Sequence, residues 1–390
     1  GSRSPFLYRS GLYLCHTIRN QMKLESYRCL WGVLDDTDGP LACSPVHTIE
    51  EALAAVKALG YDGVEIPYKL TLKIGQPKLK ELLVKHGLKV NFVIFTDNVV
   101  APGAGVLWGG PYAGYTPPSQ PGETDKELLI QTHLAVFKEQ VVGCQFFKEI
   151  LGLINSHSLK DYFTVPMAET WFKQALAWEK EQGYFVVHEG HRKRFLHSPW
   201  VARDFVPKFP DLKLCADLSH WINVAETNTE DVDLTQVIED LAPRVWHTHC
   251  RVGYDHGPQV VDPRAPEWLP YMEGHERWWD AIWRAQAARG QKVTTMIAEH
   301  GPPNYQPTLP YTRTPIAMIW DVNHWISLRR QVRFAQLHGA ENTSKLVPSA
   351  TQGFEPETKP GDSILEGRPR CGFRDDDEIE RGVKRQKLGA

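Results

Sequence analysis

Four residues able to bind a metal each stand where a short apolar run stops: Glu189 in YFVVHEGH (184–191), Asp217 in LKLCADLSH (212–220), His249 in RVWHTHC (244–250) and Glu299 in TTMIAEH (294–300). A β-branched run followed at once by Glu, Asp or His is the pattern of a strand that ends at a working site. Three carboxylates and one imidazole form a hard, mostly oxygen donor set, which favours manganese, cobalt or magnesium over structural zinc. Such a site leaves room for two adjacent oxygens of a substrate, so the ion can act as a Lewis acid on a carbonyl and stabilise an alkoxide or enediolate. A glutamate beside it can remove a proton from carbon. A lone buried Glu or His ordinarily has a structural partner and nothing more; four in succession favour the ligand reading. The HTH segment leaves His247 as an alternative to His249.

These residues need elements to position them. Strand-like and helix-like segments alternate from about Tyr27 onward: strands at 27–32, 60–67, 89–96 and 146–155, and helices at 48–59, 77–87, 124–142 and 164–182. Thr48 and Glu51 have the spacing of a capping box. The four segments above supply strands five to eight, with helices at 198–207, 232–241, 272–289 and, last, 314–338. Eight βα units with no GxGxxG turn predict an α/β fold, a (β/α)8 TIM barrel, whose active sites gather at the carboxyl ends of the strands. Three long connections follow strands: 97–124, 191–200 and 251–273. All three read as lids or specificity loops on that face. The basic run His191, Arg192, Lys193 and Arg194 reads as a solvated loop, with capture of a phosphate or carboxylate as the alternative. Asn155 and His157 close strand four, either lining a pocket or capping a turn. His256 and His300 are expected to be exposed or behind the ligands.

Length and composition bound the class. The 390 residues are 42% hydrophobic, enough for one barrel domain over 26–340, after an N-terminal extension at 1–25 and before a disordered tail at 341–390 rich in Pro, Gly and charge. A net charge of -3 gives no reason to expect nucleic acid or a membrane surface as partner. The expected partner is a small-molecule substrate, and a homo-oligomer is compatible with the sequence. Seven scattered cysteines without a CxxC pair form no disulfide framework. The chain has no membrane-spanning run and no secretory signal, and Gly1-Ser2 reads as a cloning remnant. The expectation is a cytoplasmic protein, with VKRQK in the tail as a weak nuclear signal. Of 13 tryptophans most should fill core, leaving Trp31, Trp108, Trp221 and Trp268 as candidate pocket walls.

HEGH, ADLSH, HTH and AEH, in this order at strand ends, resemble the xylose isomerase-like TIM-barrel superfamily over roughly residues 25–310. Within it the sugar phosphate isomerase/epimerase branch, including ketose 3-epimerases and hydroxypyruvate isomerases, is most similar. The resemblance implies one divalent metal ion, manganese first and cobalt, magnesium or zinc otherwise, held by Glu189, Asp217, His249 and Glu299. It also implies isomerisation or epimerisation of a sugar or other polyhydroxylated carbonyl compound through a metal-bound cis-enediolate. Glu189 and Glu299 would be the acid and base, and His220, three residues past Asp217, would touch a substrate oxygen. Arg251, Trp31, His188 and Trp221 complete the expected substrate contacts, although His188 and His247 should point differently from their strand neighbours. The chain departs from ketose epimerases where an Arg six residues past His249 is expected and Asp255 stands instead; Arg251 or Arg264 could substitute. A dehydratase or lyase acting on a similar substrate is the alternative. Further off lie an endonuclease-like phosphodiester hydrolase, which needs several zinc ions, and a non-catalytic sugar-binding barrel.

Overall fold

In the computed structural model, residues 22–34, 44, 46, 48–97, 99–101, 105–107, 123–312 and 314–347 are described. Trp108, most of the 97–124 connection, the tail beyond 347 with its VKRQK segment, and residues 1–21 lie outside them. Eight parallel strands close into one barrel in the order β1-β10-β9-β8-β7-β6-β3-β2. They are β1 (Lys23–Cys29), β2 (Gly63–Pro67), β3 (Lys89–Phe95), β6 (Leu151–His157), β7 (Val186–Glu189), β8 (Leu214–Ala216), β9 (Val245–Cys250) and β10 (Val293–Ala298). A short antiparallel hairpin, β4 (Val99–Ala101) with β5 (Gly105–Leu107), follows β3. The (β/α)8 architecture expected from the alternation of elements is therefore what the chain forms.

Among the described residues, ten α-helices surround the barrel: α1 (Ile49–Ala58), α2 (Tyr68–Ile74), α3 (Gln76–His86), α4 (Glu123–Cys144), α5 (Val165–Gln182), α6 (Pro199–Phe205), α7 (Leu218–Val224), α8 (Val232–Leu241), α9 (Leu269–Ala288) and α10 (Ile319–His338). Thr48 and Glu51 do form the capping box that starts α1. Gly87 and Gly183 end α3 and α5 in the left-handed conformation that glycine adopts at little cost.

Period-2 alternation divides the strand side chains between two compartments. One large apolar cluster, including Val64, Phe92, Ile154, Val186, Leu214, Val245 and Met296, fills the layer between strands and helices. Facing inward are two small clusters, Tyr27, Cys29 and Ile297, and Leu153, Val187 and Cys215. Polar side chains share that interior: Glu65, Asn91, Asn155, His247 and His249 are all buried. A lumen this polar prepares the barrel for a charged site at its top.

Several boundaries differ from the sequence reading for identifiable reasons. β1 runs Lys23–Cys29 rather than 27–32, because Lys23 to Arg28 pair with Val293 to Ala298. The fourth barrel strand starts at Leu151, since residues 145–147 turn as a 3-10 helix beforehand. The apolar run at 212–220 is not a strand to its end: β8 stops at Ala216, and Asp217 caps α7 by accepting from the Ser219 amide at 3.1 Å. The predicted disordered tail does not begin at 341. Leu346 is buried, the Val347 amide donates to the Leu59 carbonyl, and the Ser344 hydroxyl donates to Asp62 at 2.6 Å.

Among the described residues no helix is long and apolar enough to cross a membrane. Cys29, Cys144, Cys215 and Cys250 are buried free thiols.

Candidate metal centre

Barrel order makes β10, β9, β8 and β7 consecutive neighbours, so Glu299, His249, Asp217 and Glu189 rise along one arc of the carboxyl-terminal rim. Each of the four offers a ligand atom within 4.8 Å of the other three. Residues distant in sequence meet here because Glu189 ends its strand, Asp217 and Glu299 directly follow theirs, and His249 is the last residue but one of β9.

Each side chain is held by neighbours. Glu189 Oε2 accepts from Asn155 Nδ2 at 2.5 Å and lies 2.8 Å from His157 Nε2, while Oε1 is buried with no partner. Asp217 uses Oδ1 for Ser219 and Oδ2 for the Arg251 guanidinium. His249 Nε2 lies 3.0 Å from Glu65 Oε1, and its Nδ1 lies 3.0 Å from Glu299 Oε2 and 3.8 Å from Glu189 Oε2. Burial disfavours the imidazolium, but Cys215, Glu299, Glu189 and Glu65 raise the His249 pKa well above the ordinary imidazole value, so a metal ion would take the place of the Nδ1 proton. Glu65, behind Nε2, would then stand as the outer carboxylate of a carboxylate–imidazole–metal order.

Crowded acids in a buried space perturb one another. Burial pushes Asp217 up to about 6, with Glu299 and Glu189 adding to the rise and Arg251 opposing it. Burial works against ionisation of Glu189 too, yet His157 and His249 hold it well below the usual carboxylate range. At Glu65 the charge of His249 and the hydrogen bond from His247 overcome burial and bring it down to about 2. Three clustered carboxylates that repel and one buried lone oxygen are conditions a divalent cation relieves. The donor set and the orphaned Glu189 Oε1 thus fit such an ion, held by Glu189, Asp217, His249 and Glu299.

Several sequence expectations find different placements. His247 and His249, two residues apart on β9, both face the lumen, and His247 sits one layer lower. Its Nε2 is 3.0 Å from Glu65 and its Nδ1 2.7 Å from the Thr295 hydroxyl, so both nitrogens are engaged below the rim. His188 is no substrate contact. Alternation turns it outward from β7, where it bonds Ser158 at 2.7 Å and Glu179 at 3.2 Å beneath Trp171 and Phe172. That Ser–His–Glu order looks like a nucleophilic triad, but all three are buried in the strand–helix layer. Trp221 is buried as well; its indole donates to the Leu196 carbonyl and fills the space a side chain on Gly190 would need. Trp268 packs on Tyr254 and Tyr271. Trp31 alone of the described candidate tryptophans stands by the site's outer wall, edge-on to Tyr305 at 5.1 Å.

The region past the four ligands is basic and aromatic. Arg251 is buried, with Nε donating to Ser219 at 3.0 Å and one terminal nitrogen bonding Asp217 and, at 2.7 Å, His220 Nε2. Arg264 pairs with Asp262 in its own loop, and Asp255 accepts from Tyr271, so neither enters the site. The 191–194 run is not a solvated loop. The His191 ring lies between those of His157 (4.6 Å) and His220 (3.8 Å), Arg192 covers Tyr305, and Arg194 pairs with Asp97. Burial holds His191 and His220 well below the ordinary imidazole value. His300 is buried behind the rim, pushed down to about 3 by burial, while His256 is exposed on its loop.

Glu65, Asn155, His157, His191 and Tyr305 are site residues that the four-segment pattern did not assign. Glu65 carried a signal, a lone acid inside the apolar strand GVEIP. Asn155 and His157 carried one in closing a strand, whereas Tyr305 lies in an irregular segment that has no periodic signature.

No family profile and no curated protein matches the sequence of this chain. Solved structures do overlap it. A probable 3-DHS dehydratase from Bacillus anthracis aligns at 12% identity over 71% of this chain and 92% of its own, with a TM-score of 0.41. A xylose isomerase domain protein from Alicyclobacillus acidocaldarius aligns at 14% over 74% and 91%, TM-score 0.42. A D-psicose 3-epimerase from Clostridium cellulolyticum H10 aligns at 14% over 82% and 96%, TM-score 0.39.

Proposed function

We propose that this barrel is a divalent-metal-dependent isomerase or epimerase of a polyhydroxylated carbonyl compound. The observation that supports it is the arc of Glu299, His249, Asp217 and Glu189 with ligand atoms within 4.8 Å. Manganese suits three carboxylates and an imidazole best. When bound, the ion supplies Lewis acidity that acidifies the C–H next to a substrate carbonyl.

The chain's own residues would do the rest. Glu189 and Glu299 stand at the two ends of the arc, three strands apart in the barrel order. Glu299 keeps 12% of its side-chain surface accessible, the most open of the carboxylates for which proton removal is proposed. It would take the proton from carbon, leaving an enediolate. Glu189, ionised in the resting site, would take a proton from His157 Nε2 at 2.8 Å and pass it to the opposite face of the same carbon in an epimerase, or to the neighbouring carbon in an isomerase. His220 and Arg251 would donate to substrate oxygens and fix which carbon reacts.

The test is deuterium uptake from D₂O into a panel of ketoses and keto acids with the manganese-loaded protein. Exchange at one carbon next to the carbonyl, lost by a factor of at least ~10² in Glu299→Gln, is the expected outcome. Turnover of a substrate without any exchange would remove the proton-transfer reading.

A further inference from the structure

We propose that the site binds its substrate by a carboxylate, held between Arg192 and Arg251 above Tyr305, so that the substrate is a polyhydroxylated acid and not a neutral sugar. This rests on the isomerase reading above and names the substrate class for that site. Both guanidiniums lie over one ring: Arg251 Cζ is 4.9 Å and Arg192 Cζ 5.3 Å from the Tyr305 centroid. Arg251 is 1% exposed, and its second terminal nitrogen, Nη1, has no hydrogen-bond partner. Arg192 Nε is likewise buried and unpartnered, and no carboxylate among the described residues is within ion-pair distance of Arg192.

A third donor joins them. The Arg251 guanidinium can only donate, so His220 Nε2 accepts at 2.7 Å and the proton of a neutral His220 sits on Nδ1. His220 Nδ1 is buried without a partner too. Three unmet donors, two of them cationic, call for an acceptor-rich anion, because buried donors left unpaired are costly. Proximity to the acids selects the anion. The other terminal nitrogen of Arg251, Nη2, lies 3.5 Å from Glu299, which puts the subsite beside the acid proposed to take the proton. A carboxylate on or next to the reacting carbon fits this spacing. A phosphate ester sits at the far end of a sugar chain, and its near-double charge would meet Asp217 and Glu299.

The experiment is calorimetric titration of the full chain, with and without added Mn²⁺, using D-gluconate, D-glucitol and D-glucitol 6-phosphate as probes. Gluconate should bind at least about tenfold more tightly than glucitol, with the phosphate in between or weaker. Arg192→Gln, on a partly exposed loop residue, should erase most of that preference and leave glucitol binding unchanged. A preference that survives Arg192→Gln, whether carried by Arg251 or by metal chelation, would overturn the two-arginine subsite. Equal binding of glucitol, or tightest binding of the phosphate, would overturn it as well. Binding is read without turnover, so this result stands or falls separately from the D₂O exchange.

Discussion

At the scale of single residues, the proposed centre would depend on Glu65, although it is not among the four candidate ligands. Its carboxylate lies 3.0 Å from both His247 and His249 and so backs the His249 ring whose Nδ1 faces the rim. Glu65→Gln keeps the shape and removes the charge. It should weaken Mn²⁺ binding by roughly 10- to 100-fold, as loss of an outer carboxylate does elsewhere, measured by calorimetric titration. Unchanged affinity would mean that Glu65 only fills the lumen. His188 makes the opposite case. Removing it should cost stability through Ser158 and Glu179 and leave the affinity for the metal untouched, which thermal melts and the same titration would separate. Residue type alone could not distinguish these histidines, since HEGH offers three candidate groups in four positions. Strand alternation distinguishes them by sending Glu189 inward and His188 outward.

At the scale of elements, the loops over the rim are tied by ion pairs, not only by packing. Asp97, just after β3, pairs with Arg194 at 2.8 Å and with Lys160, joining the connections that follow β3, β6 and β7. Burial would raise its pKa, but the two cations bring it from 3.8 down to about 2. A carboxylate depressed in the fold contributes stability that is fully present above its unfolded value and is lost as pH falls through the folded one. The contribution should therefore fade between about pH 4 and pH 2. Asp97→Asn should cost roughly 2 kcal/mol at neutral pH, from a shift near two units, and flatten that acid limb in denaturant titrations at several pH values. Elements with strong periodicity and caps were legible in the sequence: α1, α5, α8 and the strands at 89–95 and 245–250 lie where the residues indicate. α2 and α7 were not, because each is only seven residues long and starts directly at a strand end, where an apolar run continues without punctuation. The same continuity hid the end of β8, although Asp217 itself was readable as the residue that stops it.

For the molecule as a whole, the barrel concentrates carboxylates at one rim, where the proposed cation would balance the charge that His157, His249 and Arg251 leave. Asp217, Glu189 and Glu299 repel one another across a buried space, so the metal-free protein carries a cost that binding removes. Adding Mn²⁺ at about a hundred times its Kd should stabilise the fold by about 2.7 kcal/mol and raise Tm by several degrees, and chelator should reverse this. A Tm indifferent to both would place the four residues in a structural network instead. The fold and the clustering of the four candidate ligands could be read from four strand ends. The surroundings that select a substrate could not, because Tyr305, His191 and Arg192 sit in irregular connections whose geometry no spacing rule fixes. The most direct test of the account is elemental analysis of protein purified without chelator, alongside Asp217→Asn and His249→Ala. About one manganese, cobalt, magnesium or zinc per chain, lost in both variants, is the predicted result. Wild-type protein that neither carries nor takes up a divalent ion, or that carries several zinc ions, would contradict it.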